Sequence, residues 1–391
     1  MLPKPIDGLT FSDVAAMVDA GGLREGRTLD LKQALVGNKD DDKREFLADV
    51  SALANTAGGD IVFGLTEAQG EATGAPGIEL ADPDAEVLRL ESILRTGLEP
   101  RLPRVELRWL PGPDGKGLLI LRAPRSYLGP HRVTFRGHGH FYGRTNAGKT
   151  SMDVGELRAA FLATEGLHQG IRRFRNERLG IIEAGEGPVG LRSGAKVILH
   201  VVPLEAFAAE RDIGINPYRD LILPVGSSSG GLNTVHTLEG YATFTGREDI
   251  EEGIFNYALL FRSGIIESGS TVGYSNEHGP FIPASAVEWK VLEAVGRYRE
   301  KLKEKGVELP LYVFLSLIGV RGHRLEASRH PFGLRRTLRT DALLLPEAVI
   351  TDAQQTDEEV LRPVFDRFWN AFGYERSMSF DAAGKYVGER Y

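Results

Sequence analysis

The sequence predicts a protein of two α/β domains, because three observations agree. The chain has 391 residues, which is longer than a single hydrophobic core usually supports. Hydrophobic residues make up 42% and charged residues 26% of it, a composition typical of folded globular proteins. Segments with the two-residue period of strands alternate with segments of helical period. We place the two domains at residues 1–165 and 166–391.

The elements of the first domain follow from these periods and from capping signals. A short helix is predicted over residues 10–20, capped by Thr10 or Ser12. Residues 28–32 alternate, which predicts a strand with Asp30 and Lys32 on one face. The remaining elements are helices over 43–56, 85–94 and 154–162, a buried strand over 61–63, a hairpin of 105–110 with 118–123, and strand signal over 133–142.

The second domain is predicted to follow a basic helical connector over residues 171–178. Because no catalytic constellation is evident in this half, we expect it to serve in sensing, docking or dimerisation. Its predicted strands cover 196–202, 241–245, 257–261, 264–268, 311–320 and 342–350, and its predicted helices cover 285–305 and 357–372.

Composition excludes several classes of protein. The chain has no cysteine, which rules out disulfides, thiolate zinc sites and cysteine nucleophiles. No apolar run approaches the roughly 20 residues of a membrane span, and the first residues lack the apolar core of a signal peptide. We therefore expect a cytoplasmic protein without a membrane partner.

Positive charge is concentrated in one stretch, although the whole chain has a formal net charge of -7. Residues 101–149 contain ten arginines and lysines against two carboxylates, Glu106 and Asp114. Such a local excess suits contact with a polyanion, and solvated strand faces are the alternative interpretation. The candidate nucleic-acid ligands in this stretch are Arg132, Arg136, Arg144 and Lys149.

Glu25, Asp30 and Glu67 carry a sharper hypothesis, together with Lys32. Carboxylate oxygens are the ligands that Mg²⁺ and Mn²⁺ prefer, and a bound ion can activate water against a phosphodiester. A nearby ammonium such as that of Lys32 could stabilise the developing charge. The alternative is a chance trio, since the chain has 54 acidic side chains.

The motifs around these residues resemble one known domain family. They are Glu25-x4-Asp30-Leu-Lys32, the stretch Asn55-Thr-Ala-Gly-Gly59, the strand Ile61-Val-Phe-Gly-Leu65 with Glu67 two further on, and Phe141-Tyr-Gly-Arg-Thr-Asn-Ala-Gly148. Their combination resembles the Schlafen/AlbA-like domain family, also described as AlbA_2, divergent AAA or DNA-binding. The resemblance covers about residues 20–163 and implies a mixed α+β sheet.

The resemblance implies a function and a set of site residues. Nucleolytic members cut tRNA and related structured RNA with Mg²⁺ or Mn²⁺, and Glu25, Asp30 and Glu67 match their three acidic positions. Here Asp stands for the usual Glu at position 30, and Glu for the usual Asp at position 67. No second copy of the pattern follows, so a homodimer is the simplest way to complete an RNA-binding valley.

Three functions are therefore predicted in order. The first is a metal-dependent endoribonuclease acting on tRNA or other structured RNA, serving by analogy in stress or phage defence. The second is a non-catalytic DNA- or RNA-binding regulator. The third is an ATP-binding switch, because residues 143–150 match the Gly-x4-Gly-Lys-Thr expression of a P-loop. Against the third, the helix is predicted to begin only after Asp153, too late for a true P-loop.

Overall fold

The chain folds into two compact units, Met1–Gly166 and Leu167–Tyr391, which we call the first and second units. The computed structural model describes residues 1–102, 105–207, 212–226, 231–246, 252–326 and 336–388. Arg104, one of the ten basic residues of the 101–149 stretch, lies outside the described residues. Within these ranges no helix is both long and apolar enough to cross a membrane.

The first unit combines helices with short strands, as the α/β prediction requires. Helix α1 begins with a capping box in which Thr10 and Asp13 bond each other's backbone amides. The other helices are α2 (Asp40–Thr56) and α3 (Pro83–Gly97), with α1 at Phe11–Asp19. The strands are β1 (Leu29–Lys32), β2 (Gly59–Phe63), β3 (Thr66–Ala68), β4 (Glu71–Gly74), β5 (Ile78–Glu79), β6 (Leu98–Glu99), β7 (Glu106–Pro111), β8 (Lys116–Ala123), β9 (Arg132–Val133), β10 (His140–Thr145) and β11 (Gly148–Ser151).

Two sheets form the framework of the first unit within the described residues. One has the order β1-β2-β8-β5, with β7 also paired to β8, and the other has the order β11-β10-β9-β6. Strands β1 and β2 are parallel, with Asp30 opposite Ile61, whereas β2 and β8 are antiparallel. The first sheet is therefore mixed, which confirms the predicted fold class.

Helix α2 lies between these sheets and supplies much of the core. Its residues Phe46, Leu47, Val50 and Leu53 are buried and pack with Ile61, Phe63, Leu119 and Leu121 of the first sheet. Apolar burial of this kind stabilises by about 25 cal/mol per Å² removed from water. The helix ends at Thr56, and Gly58, two residues later, has a φ of +71°. A Cβ on Gly58 would lie 2.6 Å from the backbone nitrogen of Arg125. Only glycine permits this close approach.

The helix predicted over 154–162 is much longer than expected. Helix α4 runs over Val154–Glu183 and includes the segment 171–178 that was predicted as a separate connector. Gly166 and Gly170 lie within it, and each glycine costs a helix interior about 1 kcal/mol without ending it. The predicted break was therefore wrong, since these glycines are tolerated inside the helix.

The second unit is built on an antiparallel sheet. Within the described residues its strand order is β13-β14-β15-β16-β12-β19-β21, with β22 also paired to β19. Strands β13, β17, β18 and β20 were missed from the sequence because they are short and lack clear alternation. The strands are β12 (Lys196–Pro203), β13 (Leu232–His236), β14 (Gly240–Thr245), β15 (Asn256–Phe261), β16 (Ile266–Thr271), β17 (Tyr274–Asn276), β18 (Gly279–Pro283), β19 (Leu311–Ile318), β20 (Arg324–Glu326), β21 (Ala342–Leu344) and β22 (Ala348–Ile350), and the helices are α5 (Ala284–Glu304) and α6 (Asp357–Ala371).

Candidate functional site

Asp30 lies at the centre of an ion-pair network in the first unit. Its side chain is buried, and its Oδ1 accepts a hydrogen bond of 2.8 Å from Nη2 of Arg144. Its Oδ2 lies 2.9 Å from Nζ of Lys32, which the alternation of β1 places on the same face. Burial acts to raise the pKa of Asp30, but Lys32 and Arg144 outweigh it and hold this pKa below its usual value. Asp30 is therefore an ionised carboxylate between two cations.

The network continues from Lys32 along helix α2. Nζ of Lys32 also lies 3.3 Å from Oδ2 of Asp49, and Oδ1 of Asp49 lies 2.9 Å from Nζ of Lys149. Lys149 in turn contacts Oε1 of Glu45 at 2.6 Å. Including Arg144, this network joins three cations to three carboxylates, so its charges balance.

Glu25 and Glu67 lie beside this network. Oε1 of Glu25 accepts a hydrogen bond of 3.0 Å from the backbone nitrogen of Leu31. Burial raises the pKa of Glu25, and the nearby charges of Asp30 and Glu67 raise it further. Glu67 itself is exposed and accepts a hydrogen bond of 2.8 Å from the backbone nitrogen of Gly70. Asp30 and Glu67 are thus close enough to influence Glu25 electrostatically.

These carboxylates do not form a metal site as they stand. Among the described residues, no group of three or more histidine, aspartate or glutamate side chains is arranged to hold a metal ion. The two oxygens of Asp30 face Arg144 and Lys32, and like charge from these cations opposes a divalent ion. Binding of Mg²⁺ or Mn²⁺ by Glu25, Asp30 and Glu67 stays a prediction.

The four predicted nucleic-acid ligands are all engaged in ion pairs. Arg144 is buried and also donates hydrogen bonds to the carbonyls of Gly26 and Leu29, at 2.8 and 3.1 Å. This arginine therefore holds β10 to β1 rather than facing a ligand in bulk solvent. The pairs of the other three are Arg132 with Glu99 at 2.7 Å, Arg136 with Asp40 at 3.2 Å, and Lys149 with Glu45 and Asp49.

A polar cleft lies next to Arg144, and sequence reasoning did not identify it. The cleft has a volume of about 580 Å³, and its exposed charged walls include Arg27 and Arg125. Among the described residues, neither arginine has an ion-pair partner, although Arg125 lies over the ring of Tyr127 at 5.2 Å. The other residues that line the cleft include Asn55, Thr56, Thr145, Asn146, Thr150, Met152 and Glu156.

Asn55 fixes the wall of this cleft. Its Oδ1 accepts a hydrogen bond of 2.7 Å from the backbone nitrogen of His131. Its Nδ2 donates to the carbonyls of His131 and Tyr142, at 3.0 and 2.9 Å. Three hydrogen bonds from one side chain join the end of α2 to β10 and to the loop before β9, which stabilises the second sheet of the unit.

Residues 143–150 form a hairpin rather than a phosphate-binding loop. Strand β10 pairs with β11, and Arg144 lies opposite Lys149 in the register. Lys149 and Thr150 belong to β11, and helix α4 begins only at Val154. A P-loop places its lysine and threonine at a helix N-terminus, so this hairpin lacks that arrangement.

Comparison with known proteins identifies the domain. Residues 25–153 match the family described as Schlafen, AlbA_2, which confirms the resemblance read from the motifs. The matched segment is about a third of the chain, and it contains all eight predicted site residues.

Solved structures and curated proteins add little to this match. The N-terminal domain of a protein from Nitrosomonas europaea, described as related to the ATP-dependent DNA helicase RecG, is 23% identical, with 35% of this chain and 88% of that domain covered and a TM-score of 0.28. A Corynebacterium diphtheriae protein of known crystal structure is 16% identical, with 36% of this chain and 26% of that chain covered and a TM-score of 0.25. No curated protein matches this chain significantly.

Proposed function

We propose that the first unit binds nucleic acid through its phosphates, at the polar cleft bordered by Arg27 and Arg125. The observation that carries this proposal is the pair of exposed arginines without a carboxylate partner among the described residues. Guanidinium groups bind phosphate oxygens with paired hydrogen bonds. The other polar lining groups, such as Thr145, Asn146 and Thr150, are side chains that commonly contact phosphate and sugar.

The match to the Schlafen, AlbA_2 family supports the same proposal, because the family is also described as DNA-binding. The ion-pair network supports a binding role over metal-dependent chemistry, since cations already face both oxygens of Asp30. In this view the network holds β1, α2 and the β10–β11 hairpin together beneath the cleft. The nucleic-acid target and a homodimeric state stay predictions.

The proposal is tested by binding of fluorescein-labelled 20-nucleotide single strands and duplexes, measured by anisotropy between about 50 and 300 mM salt. We expect Arg27→Ala with Arg125→Ala to weaken binding about tenfold or more. We also expect the slope of log K against log salt to fall by about 1 to 2, because each lost phosphate contact removes close to one released counterion.

The matched control is the double variant Arg95→Ala with Lys116→Ala. It removes the same charge from exposed positions of the first unit that do not line the cleft. An equal loss of affinity in both double variants would show that net charge alone explains the effect. The cleft would then not be the binding site. A wild-type protein that binds neither probe would sink the proposal as a whole.

The second candidate function is the metal-dependent endoribonuclease predicted from the sequence. One observation favours it, namely that the charges of Asp30 and Glu67 both act on the carboxyl of Glu25. Its substrate would be tRNA or other structured RNA, and a role in stress or phage defence would follow from that activity. The arrangement of cations around Asp30 opposes this candidate.

Incubation of the protein with total tRNA and Mn²⁺, beside an EDTA control, decides between the two functions. Cleavage that requires Mn²⁺, that Glu67→Gln abolishes and that Glu91→Gln leaves intact would establish the nuclease. Glu91 is a suitable control because it is an exposed glutamate on α3, outside the cluster. Under the binding proposal we expect intact tRNA in every arm.

A further inference from the structure

Three aromatic rings lie together on β10 and the turn before it. His138, His140 and Tyr142 are at alternate positions, so their side chains share one side of the chain. The ring centroids of His138 and His140 are 4.4 Å apart, and each lies 6.3 Å from the centroid of Tyr142. The planes of His138 and Tyr142 differ by only 11°. We call these three rings the ring platform.

The platform is anchored on its inner side. The Tyr142 ring packs against the buried core around α2. The backbone carbonyl of Tyr142 accepts a hydrogen bond from Asn55. The hydroxyl of Tyr142 lies 2.9 Å from Nε2 of His138. Rings held in this way lose little conformational entropy when a ligand binds, which favours recognition.

The outer side of the platform is open. His140 is exposed, and no hydrogen bond to its imidazole is formed by the described residues. Neither His138 nor His140 belongs to the hydrophobic core of the unit. Core packing thus explains Tyr142, and the hydrogen bond to Tyr142 explains His138, but neither contact explains the exposed His140.

Two cations lie near the platform, each paired with a carboxylate. Nζ of Lys149 lies 5.7 Å from the centroid of Tyr142, within the range of a cation–π contact. Arg136 precedes the platform by two residues, and its side chain is 70% exposed. Asp40 and Glu45 pair with these two cations, so the surface has both charges and is not a simple phosphate-binding patch.

We propose that the ring platform stacks against an unpaired base, so that the first unit selects single-stranded or unpaired nucleic acid over duplex. The proposal rests on the proposed function and names its substrate class. Bases inside a duplex present their faces to one another, and only an unpaired base can present a face to a protein ring. Stacking does not read base identity, so little sequence preference is expected.

The test uses His140→Ala and His140→Phe in the full chain. The probes are a single strand with 2-aminopurine at its centre and the corresponding duplex. We expect His140→Ala to weaken single-strand binding about 5- to 150-fold, since one base–aromatic stack contributes about 1–3 kcal/mol. We expect duplex binding to change less than about twofold. The wild type should quench 2-aminopurine fluorescence through stacking, and His140→Phe should restore both affinity and quenching.

His278→Ala is the matched control, because His278 is an exposed histidine of the second unit. A wild type that binds neither probe would overturn both this inference and the proposed function. A wild type that binds, with His140→Ala leaving single-strand affinity and quenching unchanged, would overturn the ring platform alone. Equal weakening of single strand and duplex by His140→Ala would also overturn it, because a stacking contact acts only on the unpaired base.

Discussion

Each unit of the molecule has a buried carboxylate paired with an arginine, but the side chains around the two carboxylates differ in exposure. Glu267 in the second unit is fully buried, and both its oxygens accept hydrogen bonds from Arg178, at 2.8 and 2.9 Å. Tyr257 and His200 complete its contacts at 2.8 and 2.9 Å. In the first unit the side chain of Lys32, one of the two cations beside Asp30, is 36% exposed.

The surroundings of the two networks differ in the same way. Arg144 lines the polar cleft, and Lys32 lines a second cavity of about 460 Å³. Charge from a ligand in either cavity can therefore act on the Asp30 network, whereas Arg178 and His200, which contact Glu267, have buried side chains. Ion pairing alone therefore does not mark a functional site. The Asp30 network differs from the Glu267 network because solvent and ligands can reach its cations.

The largest expected effect on stability is at the buried Glu267 network of the second unit. Glu267→Gln should lower the free energy of unfolding at pH 7 by about 3–5 kcal/mol, because it leaves the buried Arg178 with only the partly exposed Glu239 as counter-ion. Burial acts to raise the pKa of Glu267, but Arg178 and His200 hold it at about 2. The stabilisation is therefore present above the usual value of 4.5 and is lost as the pH falls through about 2.

Urea denaturation followed by circular dichroism measures this effect, with Glu239→Gln as the control. Glu239 pairs with the same arginine, but its side chain is 40% exposed, so its loss should cost less than about 1 kcal/mol. Similar losses of stability in Glu267→Gln and Glu239→Gln would show that the burial of Glu267 does not set the strength of its pairing with Arg178.

A smaller effect on stability is expected at the Asp30 network of the first unit. Asp30→Asn should cost about 1–3 kcal/mol, because Arg144 keeps its bonds to two backbone carbonyls and Lys32 keeps Asp49. The same urea measurement checks it, and Glu67→Gln at an exposed position should change stability by less than about 0.5 kcal/mol. A loss in Asp30→Asn as large as that in Glu267→Gln would remove the difference between the two networks.

The smallest effect concerns Glu288, a buried carboxyl of the second unit that lacks a cation partner among the described residues. Its Oε1 accepts hydrogen bonds from Trp369 at 2.7 Å and Ser377 at 2.6 Å. Burial raises its pKa to about 7 against the usual 4.5. A pKa raised by folding means that stability present below pH 4.5 is lost as the pH rises through about 7.

Glu288→Gln cannot ionise, so it should be more stable than the wild type by about 2 kcal/mol at pH 6, with the gain falling towards zero below pH 4.5. Thermal unfolding across this pH range checks the prediction. Glu300→Gln, at an exposed position on the same helix, should show no such gain. A gain that persists below pH 4.5 would point to packing rather than to ionisation.

Much of the first unit could be predicted from sequence because its signals are local. The pairing of Lys32 with Asp30 follows from strand alternation, and the caps at Thr10 and Asp153 follow from side chains three residues apart. The family motifs worked for the same reason, since they preserve short spacings. In the second unit, β13 was missed because its two apolar residues, Leu232 and Val235, are three positions apart and do not alternate.

The candidate site itself was predicted only in part. Arg144 was expected to face a polyanion, but it is 114 positions from Asp30 in the sequence and bonds to it inside the fold. Arg27 and Arg125 were not selected, because nothing in the local pattern shows that two distant loops border one cleft. A close approach at Gly58 and a hydrogen bond from Ser126 to the carbonyl of Ala54 hold the loop of Arg125 against the end of α2.

The amino-acid pattern alone established the α/β class of the protein, the similarity of residues 25–153 to the Schlafen, AlbA_2 family, and the strand with Asp30 and Lys32 on one face. These properties depend on periodicity and short spacing, which a chain shows before it folds. Only the tertiary structure decided which charges neutralise one another and which stay exposed. Long-range contacts set that division, because the energy of a charge depends on the burial and the partners that the fold supplies.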